Sequence, residues 1–200
     1  MAERNRMIET ALALIDFSSI AAGIEAADAM VKRAPIDVIR AGTVQPGRYL
    51  VLIGGTVADV QESLGAGRAT AGESVLDHVF LPSVHPEVVD AIGGARVPAA
   101  TDSVGIVETT TVAAAIRAAD AGVKGAEVRL LEIRMADGLG GKGIVLYSGL
   151  VADVEAAVAA GCDVLHPGLL FRRVVIPQLH PEMWDNLAQA TRFGSRLEGL

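Results

Sequence analysis

IEAADAMVK at residues 24–32 returns as IRAADAGVK at residues 116–124, with seven of nine positions identical. A second segment, VADV at 57–60, returns unchanged at 151–154. The two separations are 92 and 94 residues, so both matches belong to one long internal repeat. With only two copies, the pattern favours a duplicated domain over a solenoid.

A third match extends the repeat toward the end of each copy. LPSVHPEVVD at 81–90 corresponds to IPQLHPEMWD at 176–185, again in the same order along the chain. The sequence therefore predicts two homologous domains, residues 1–95 and 103–200, joined by a small, polar link that contains Pro98. A duplicated domain can imitate a symmetric dimer within one chain, and three such chains can imitate a six-fold ring.

Each copy has the pattern of an α/β (α+β) unit with a mostly antiparallel four-stranded sheet flanked by helices. In the first helix, capped by Ser18 or Ser19, the residues Ile20, Ile24, Ala27 and Val31 predict one buried stripe. Thr110 or Thr111 caps the equivalent helix of the second copy. The predicted strands are 11–17, 36–42, 48–54, 75–81, 104–109, 127–135, 142–148 and 169–176, and the second helices are 56–66 and 151–160.

Composition excludes several classes of protein. Half of the 200 residues (51%) are hydrophobic and only 4% are aromatic, which excludes disorder and is typical of a protein that buries surface in an oligomer. The net charge of −7 argues against nucleic-acid and anionic-membrane partners, and no apolar run is long enough to span a bilayer. The single cysteine, Cys162, excludes an intrachain disulfide.

Candidate sites have structural and functional interpretations. GLGGKG at 138–143 matches the G-x-G-x-x-G pattern of dinucleotide-binding loops. That pattern requires a following helix, and here a strand is predicted to follow, so a tight turn is favoured. His85 and His180, each in His-Pro-Glu, are read as helix starts rather than metal ligands or acid–base groups. Trp184 is read as a packing residue, and no catalytic arrangement stands out, so we predict a protein that is not an enzyme.

Several segments together resemble the bacterial microcompartment shell proteins of the tandem-domain, trimer-forming, non-permuted class. They are GIVET at 105–109, the two IxAADAxVK segments, GGKGIVLYSGLVADVEAAVAAG at 140–161 and the duplicated Pro-x-x-His-Pro-Glu. PGRYLVLIGG at 46–55 and AGESVLDHVFLPSVHPEV at 71–88 are similar to the tandem shell proteins of propanediol-utilisation compartments. The resemblance implies two BMC-like domains and a location in a cytoplasmic microcompartment shell.

The resemblance also implies a homotrimeric pseudohexamer with a central pore for small polar metabolites. Its partners would be hexameric and pentameric shell proteins, encapsulated enzymes and the metabolites that cross. The implied lateral-edge lysines are Lys32 and Lys124. Their pairing with Asp28 and Asp120 at i, i+4 leaves an ordinary helical ion pair open as the alternative. The implied pore-lining residues are Thr43, Val44, Gln45, Pro46 and Gly47, and Asp137, Gly138, Leu139, Gly140 and Gly141.

Two positions depart from the family pattern. The resemblance implies that Gln45 stands where similar tandem shell proteins place a cysteine that holds an iron–sulfur cluster, and thiolates are the ligands of such clusters, so we expect no cofactor and no metal. Ser83 and Gln178 replace the family's edge arginine, which leaves the strength and partner choice of lateral tiling open. The alternative functions are an electron-transfer shell protein with a metal centre at the pore, and a small-molecule-binding duplicated α/β protein.

Overall fold

The computed structural model describes residues 11–96 and 103–189, in which two halves repeat the same order of elements. A short 3-10 turn, Gly72–Ser74, precedes the fourth strand. The first half consists of β1 (Ala11–Phe17), α1 (Ile20–Arg33), β2 (Val38–Val44), β3 (Arg48–Gly55), α2 (Val57–Ala71), β4 (Val75–Leu81) and α3 (Pro86–Ile92). The second consists of β5 (Ser103–Thr109), α4 (Val112–Gly125), β6 (Arg129–Met135), β7 (Gly143–Gly149), α5 (Val151–Asp163), β8 (Leu170–Ile176) and α6 (Pro181–Gln189).

Each half contains one four-stranded antiparallel sheet, which confirms the predicted fold class. The strand orders are β2-β3-β1-β4 and β6-β7-β5-β8. The central strands pair in equivalent registers, with Leu14 opposite Leu52 in the first sheet and Ile106 opposite Leu146 in the second. No helix in residues 11–96 or 103–189 is both long and apolar enough to cross a bilayer.

Helix α2 is longer than predicted. We expected it to stop at residue 66, before a second glycine, but it continues to Ala71. Gly67 is buried inside it, and a Cβ at that position would lie 2.5 Å from Met30 Sδ. Glycine is therefore required here by close packing of α2 on α1 and does not end the helix.

The second strands also differ from prediction. The first, expected over 36–42, spans Val38–Val44, so Thr43 and Val44 belong to the strand rather than the loop. The pairing of β2 with β3 continues to Val44 opposite Arg48, which leaves a three-residue turn. The strand expected over 127–135 begins at Arg129.

The predicted helix caps are confirmed at Ser19 and Thr111. Ser19 Oγ accepts a hydrogen bond from the Ala22 N–H at 3.3 Å, and Thr111 Oγ1 accepts one from the Ala114 N–H at 3.2 Å. Each side chain accepts a hydrogen bond from one of the backbone N–H groups that have no partner within the helix at its start. The repeat therefore preserves the geometry of each strand-to-helix turn.

The predicted buried stripe of α1 is wrong for the chain by itself. Ile24 is 53% exposed, and Ile20 and Val31 are also exposed, whereas α1 buries Gly23, Ala26 and Met30. The sequence pattern shows an apolar face but not which element covers it. In α4 the equivalent apolar face is buried.

Helix α4 is buried between the two domains. It packs on β1, β4 and α3 of the first domain as well as on its own sheet. Val112 and Ile116 are fully buried in a cluster that also contains Leu14, Val79 and Val88. The two domains thus share one buried cluster. The face of α4 that forms this junction is the repeat equivalent of the face that is exposed on α1.

Candidate functional site

The loop between β6 and β7 is a compact turn built on glycine. The Ala136 N–H donates to the Lys142 carbonyl at 2.9 Å, which closes the loop at its base. Gly138, Gly140 and Gly141 have positive φ, a conformation that glycine adopts without strain. Strand β7 follows directly, so the tight turn predicted for GLGGKG is confirmed.

This loop meets the β2–β3 loop of the first domain. The Gln45 N–H donates to Asp137 Oδ1 at 3.4 Å, and Arg48 Nη1 donates to the Gly141 carbonyl at 3.0 Å. Gly141 is buried beneath the guanidinium group, and a Cβ there would lie 2.7 Å from Arg48 Cζ. The structure therefore brings the two predicted pore-lining segments together within one chain.

The ten predicted pore residues do not all occupy equivalent positions. Gln45, Pro46, Gly47, Asp137, Gly138 and Gly140 are exposed at the loop tips, Leu139 is half-buried and Gly141 is buried. Thr43 and Val44 form the end of β2. The two loops differ in length and sequence, with residues 45–47 between β2 and β3 and residues 136–142 between β6 and β7.

Behind the loops lies a duplicated ion pair that the sequence analysis missed. Arg48 Nη1 lies 3.4 Å from Asp16 Oδ2, and Lys142 Nζ lies 2.5 Å from Glu108 Oε1 at the equivalent place in the second domain. Lys142 Nζ also lies 4.1 Å from the centre of the Phe171 ring. One sequence signal could have revealed both pairs. In each copy an acid stands near the end of the first strand, β1 or β5, and a base stands at the start of the third strand, β3 or β7.

Asp16 is the most perturbed carboxyl of this region. Its side chain is fully buried, and burial raises its pKa from 3.8 to about 6. Arg48 and the Val112 N–H lower the pKa, whereas Asp77 on the neighbouring strand raises it. Asp16 Oδ1 has no hydrogen-bond partner among the described residues. Burial therefore outweighs the ion pair with Arg48.

The raised pKa predicts a measurable pH dependence of stability. The folded state holds the proton of Asp16 more tightly than the unfolded chain, so the stabilisation is complete below about pH 4 and is lost as the pH rises through about 6. A pKa difference of about two corresponds to about 3 kcal/mol. The free-energy difference between Asp16→Asn and the parent should therefore shift in favour of the variant by about 2–3 kcal/mol between pH 4 and pH 8.

Denaturant unfolding of both proteins at five pH values measures this difference. A constant offset reports how well the amide fits the site, whereas the slope with pH reports ionisation of Asp16. A difference that stays flat from pH 4 to pH 8 would show that the carboxyl titrates in its ordinary range.

Polar contacts cross the domain junction around α4. Arg117 Nη2 lies 3.8 Å from Asp77 Oδ1, and Thr111 Oγ1 donates to Asp77 Oδ2 at 2.6 Å. The His85 N–H donates to Asp120 Oδ1 at 2.8 Å. The first domain thus presents the Asp77 carboxylate to the N-terminal half of α4 and the backbone N–H of His85 to its C-terminal half.

A family model described as the BMC domain matches residues 11–84 and, again, residues 103–179. The chain belongs to the BMC domain family. Each match covers one of the two repeated units, which confirms the duplication. The predicted outer limits of the domains at residues 1 and 200, and residues 97–102 of the link predicted over 94–103, lie outside the described residues.

Relatives in this family match most of the chain. The bacterial microcompartment shell protein PduT of Citrobacter freundii is 39% identical over 180 residues, covering 90% of this chain and 98% of that protein. The crystal structure of a microcompartment protein from Desulfitobacterium hafniense has a TM-score of 0.76 and 46% identity, and covers 90% and 99% of the two chains. The carboxysome shell protein CcmK2 of Synechococcus elongatus is 35% identical over 79 residues, covering 38% of this chain and 78% of that protein.

The two predicted edge lysines sit differently on their BMC domains. Lys32 is exposed and lies 2.5 Å from Asp28, whereas Lys124 lies 2.6 Å from Asp120 and also donates to the Ser83 carbonyl of the first domain. The helical ion pairs are therefore present. A role of either lysine in contacts with other shell proteins stays a prediction.

The remaining singled-out residues have structural contacts. His85 Nδ1 and His180 Nδ1 each accept a hydrogen bond, at 3.3 Å, from the N–H of the glutamate two residues later, as expected at a helix start. Trp184 packs in an apolar cluster of the second BMC domain. Cys162 lies on α5 rather than in either loop, and partial burial raises the pKa of its thiol although Arg173 lowers it.

Proposed function

We propose that this protein is a structural component of a bacterial microcompartment shell. In it, three copies form a pseudohexamer whose central pore is lined by the β2–β3 and β6–β7 loops. The other shell proteins, hexameric and pentameric, are the partners at its rim, and the encapsulated enzymes lie on one side of it. The membership in the BMC domain family and the match to shell proteins over nearly the whole chain support this role.

The trimer is supported by two complementary apolar faces that are exposed in the single chain, one on the second domain and one on α1. In the first domain, Val79 and Val88 are buried in the cluster shared with α4. Their repeat equivalents in the second domain are Val174, which is only half-buried, and Met183, which is 49% exposed. The second domain therefore has the same apolar face as the first, but no helix within residues 11–96 or 103–189 covers it.

The helix that fits this face is α1 of another copy. The α1 face formed by Ile20, Ile24 and Val31 is the repeat equivalent of the α4 face formed by Val112, Ile116 and Val123. Repeating the intrachain junction between chains joins domains in alternating order around a ring. Six domains, and so three chains, close such a ring with pseudo-six-fold symmetry.

The solution mass tests the assembly. Light scattering over a range of protein concentrations should give about 62 kDa, three times the 20.7 kDa of one chain, or sheets built from that unit. A monomer or dimer that persists at high concentration contradicts the proposal.

The charge of the loop tips bears on what crosses the pore. Asp137 is exposed at the tip. Lys142 pairs with Glu108, Arg48 contacts Asp16 and the Gly141 carbonyl, and Arg134 Nη2 would lie 3.9 Å from a Cβ at Gly138, the residue after Asp137. Three copies place three exposed Asp137 carboxylates near the three-fold axis, whereas Arg134 is half-buried. Such a ring disfavours anions and admits neutral polar molecules and cations.

Reversing this charge should change anion permeation. In shells assembled with Asp137→Lys, entry of a small anion should rise at least about threefold relative to a neutral molecule of the same size, because three charges change sign at the axis. The measurement is flux into purified shells loaded with an anion-sensitive dye. Glu155→Lys makes the same charge change on exposed α5 and should leave the ratio unaltered. Equal ratios for the two variants would count against a charge role for Asp137.

A further inference from the structure

The internal repeat reverses one charge pair between its two copies. Arg117 on α4 corresponds to Glu25 on α1, and Asp77 on β4 corresponds to Arg172 on β8. Arg117 and Asp77 form the ion pair across the domain junction. Both partners change sign together, so the pair remains complementary when the junction is repeated between chains.

Within the chain, this pair joins α4 to β4 of the first sheet. Arg117 Nη2 approaches Asp77 Oδ1 at 3.8 Å and also donates to the carbonyl oxygen of His78, which follows Asp77 on the same strand. Both side chains are mostly shielded from solvent. A partly desolvated ion pair that is also hydrogen-bonded to the backbone discriminates strongly between partners.

The reversed pair is free to meet a second copy. Glu25 and Arg172 are exposed, and across residues 11–96 and 103–189 neither side chain has a hydrogen-bond or ion-pair partner. Glutamate is one methylene longer than the aspartate it replaces in the pair, so the reversed pair spans at least the same distance. The apolar residues around it are the uncovered faces of α1 and β8 described above.

We propose that Glu25 of one copy pairs with Arg172 of the next copy, and that this pair sets the order in which domains join. The proposal rests on the trimer proposed above. In the two correct junctions an acid faces a base. If α1 docked on the first sheet, Glu25 would face Asp77, and if α4 docked on the second sheet, Arg117 would face Arg172.

Like charges in a partly desolvated contact disfavour both wrong junctions. The apolar faces of the two domains are similar enough to accept either helix, so apolar packing alone would not distinguish the correct junctions from the wrong ones. The reversed pair supplies the missing discrimination. It favours rings in which first and second domains alternate, and it disfavours chains that join through like domains.

The test is a charge-reversal cycle on the full chain. Glu25→Arg and Arg172→Glu each place like charges in all three interchain contacts of a trimer. Each should raise the concentration at which the trimer dissociates at least about tenfold, and the effect should shrink at high salt. The double variant restores an acid facing a base and should return to within about threefold of the parent. Sedimentation velocity across a concentration series measures all four proteins.

Glu155→Arg is the matched control, because it makes the same charge change on exposed α5, whose equivalent α2 lies outside the main packing of the domain junction. It should dissociate like the parent. Circular dichroism and denaturant unfolding establish that each variant is folded, which is expected because both residues are exposed in the single chain.

The outcomes separate the two proposals. A parent protein that never forms a trimer overturns the proposed assembly. A parent that does form one, with single variants that dissociate like the parent or a double variant that recovers nothing, overturns the Glu25–Arg172 pair and leaves the shell assignment standing.

Discussion

Replacing Ile116 with aspartate is expected to destroy the stability of the folded chain. Ile116 is fully buried on α4, in the cluster that joins the two BMC domains. An aspartate there places a carboxyl group without a partner among apolar side chains and also removes a large apolar contact. The expected loss is more than about 4 kcal/mol in the free energy of unfolding, which is measured by denaturant titration.

The same substitution at the repeat-equivalent position should act on assembly instead. Ile24 is 53% exposed on α1, so Ile24→Asp should change the unfolding free energy of the single chain by less than about 1 kcal/mol. Its mass in light scattering should nevertheless fall toward the 20.7 kDa of one chain, because the aspartate enters the interchain contact. An Ile24→Asp protein that remains a trimer would refute the use of this face between chains.

This pair of residues also shows what the sequence could and could not predict. The period of Ile20, Ile24 and Val31 correctly identifies an apolar face on α1. Periodicity reports that a face avoids water, but it is silent on whether its cover is the same domain, the other domain or another chain. The two copies have nearly the same pattern and opposite exposure, so only their position in the assembly distinguishes them.

Local signals predicted the elements well because each rests on neighbouring residues. The caps at Ser19 and Thr111 and the His-Pro-Glu helix starts are of this kind. The glycine turn before β7 could likewise be predicted, because positive φ is a local requirement of the backbone. The strand ends were less accurate, since pairing with β3 decides where β2 stops.

Two interdomain contacts that sequence reasoning missed join residues far apart along the chain. Arg48 and Gly141 are 93 residues apart, and Asp16 and Val112 are 96 residues apart. Such contacts depend on how one domain sits on the other, and one-dimensional patterns carry no information about that. The repeat itself was the best available guide, because it aligns Asp16 with Glu108 and Arg48 with Lys142.

The interiors of the two domains fill the same space with different side chains. In the first, Met30 on α1 packs over Gly67, whose Cβ would lie 2.5 Å from Met30 Sδ, and Ile53 on β3 lies in the same buried cluster as Met30. In the second, the equivalents are Gly122, Tyr147 and Gly161. One copy places the bulk on the helix and the other places it on the strand.

Gly122→Met should therefore overpack the second domain severely. A Cβ at Gly122 would collide with Tyr147 Oη and lie 2.6 Å from Tyr147 Cζ, and Tyr147 is fully buried with its hydroxyl donating to the Ala118 carbonyl at 2.7 Å. The ring cannot move aside without breaking that hydrogen bond or opening the core. The expected loss is about 3 kcal/mol or more, seen as a lower denaturation midpoint or as failure to fold.

The first domain supplies the compensating change. Tyr147→Ile alone should leave a cavity and cost about 2–4 kcal/mol, because Gly122 has no side chain to fill the vacated space. The double variant Gly122→Met with Tyr147→Ile reproduces the Met30–Ile53 arrangement and should be more stable than either single variant. Denaturant unfolding of the four proteins gives the coupling energy, and recovery of soluble, folded double variant serves as the readout if Gly122→Met does not fold. A double variant no better than the worse single one would show that the two interiors are not interchangeable, because the space is then shaped by neighbours outside these three positions.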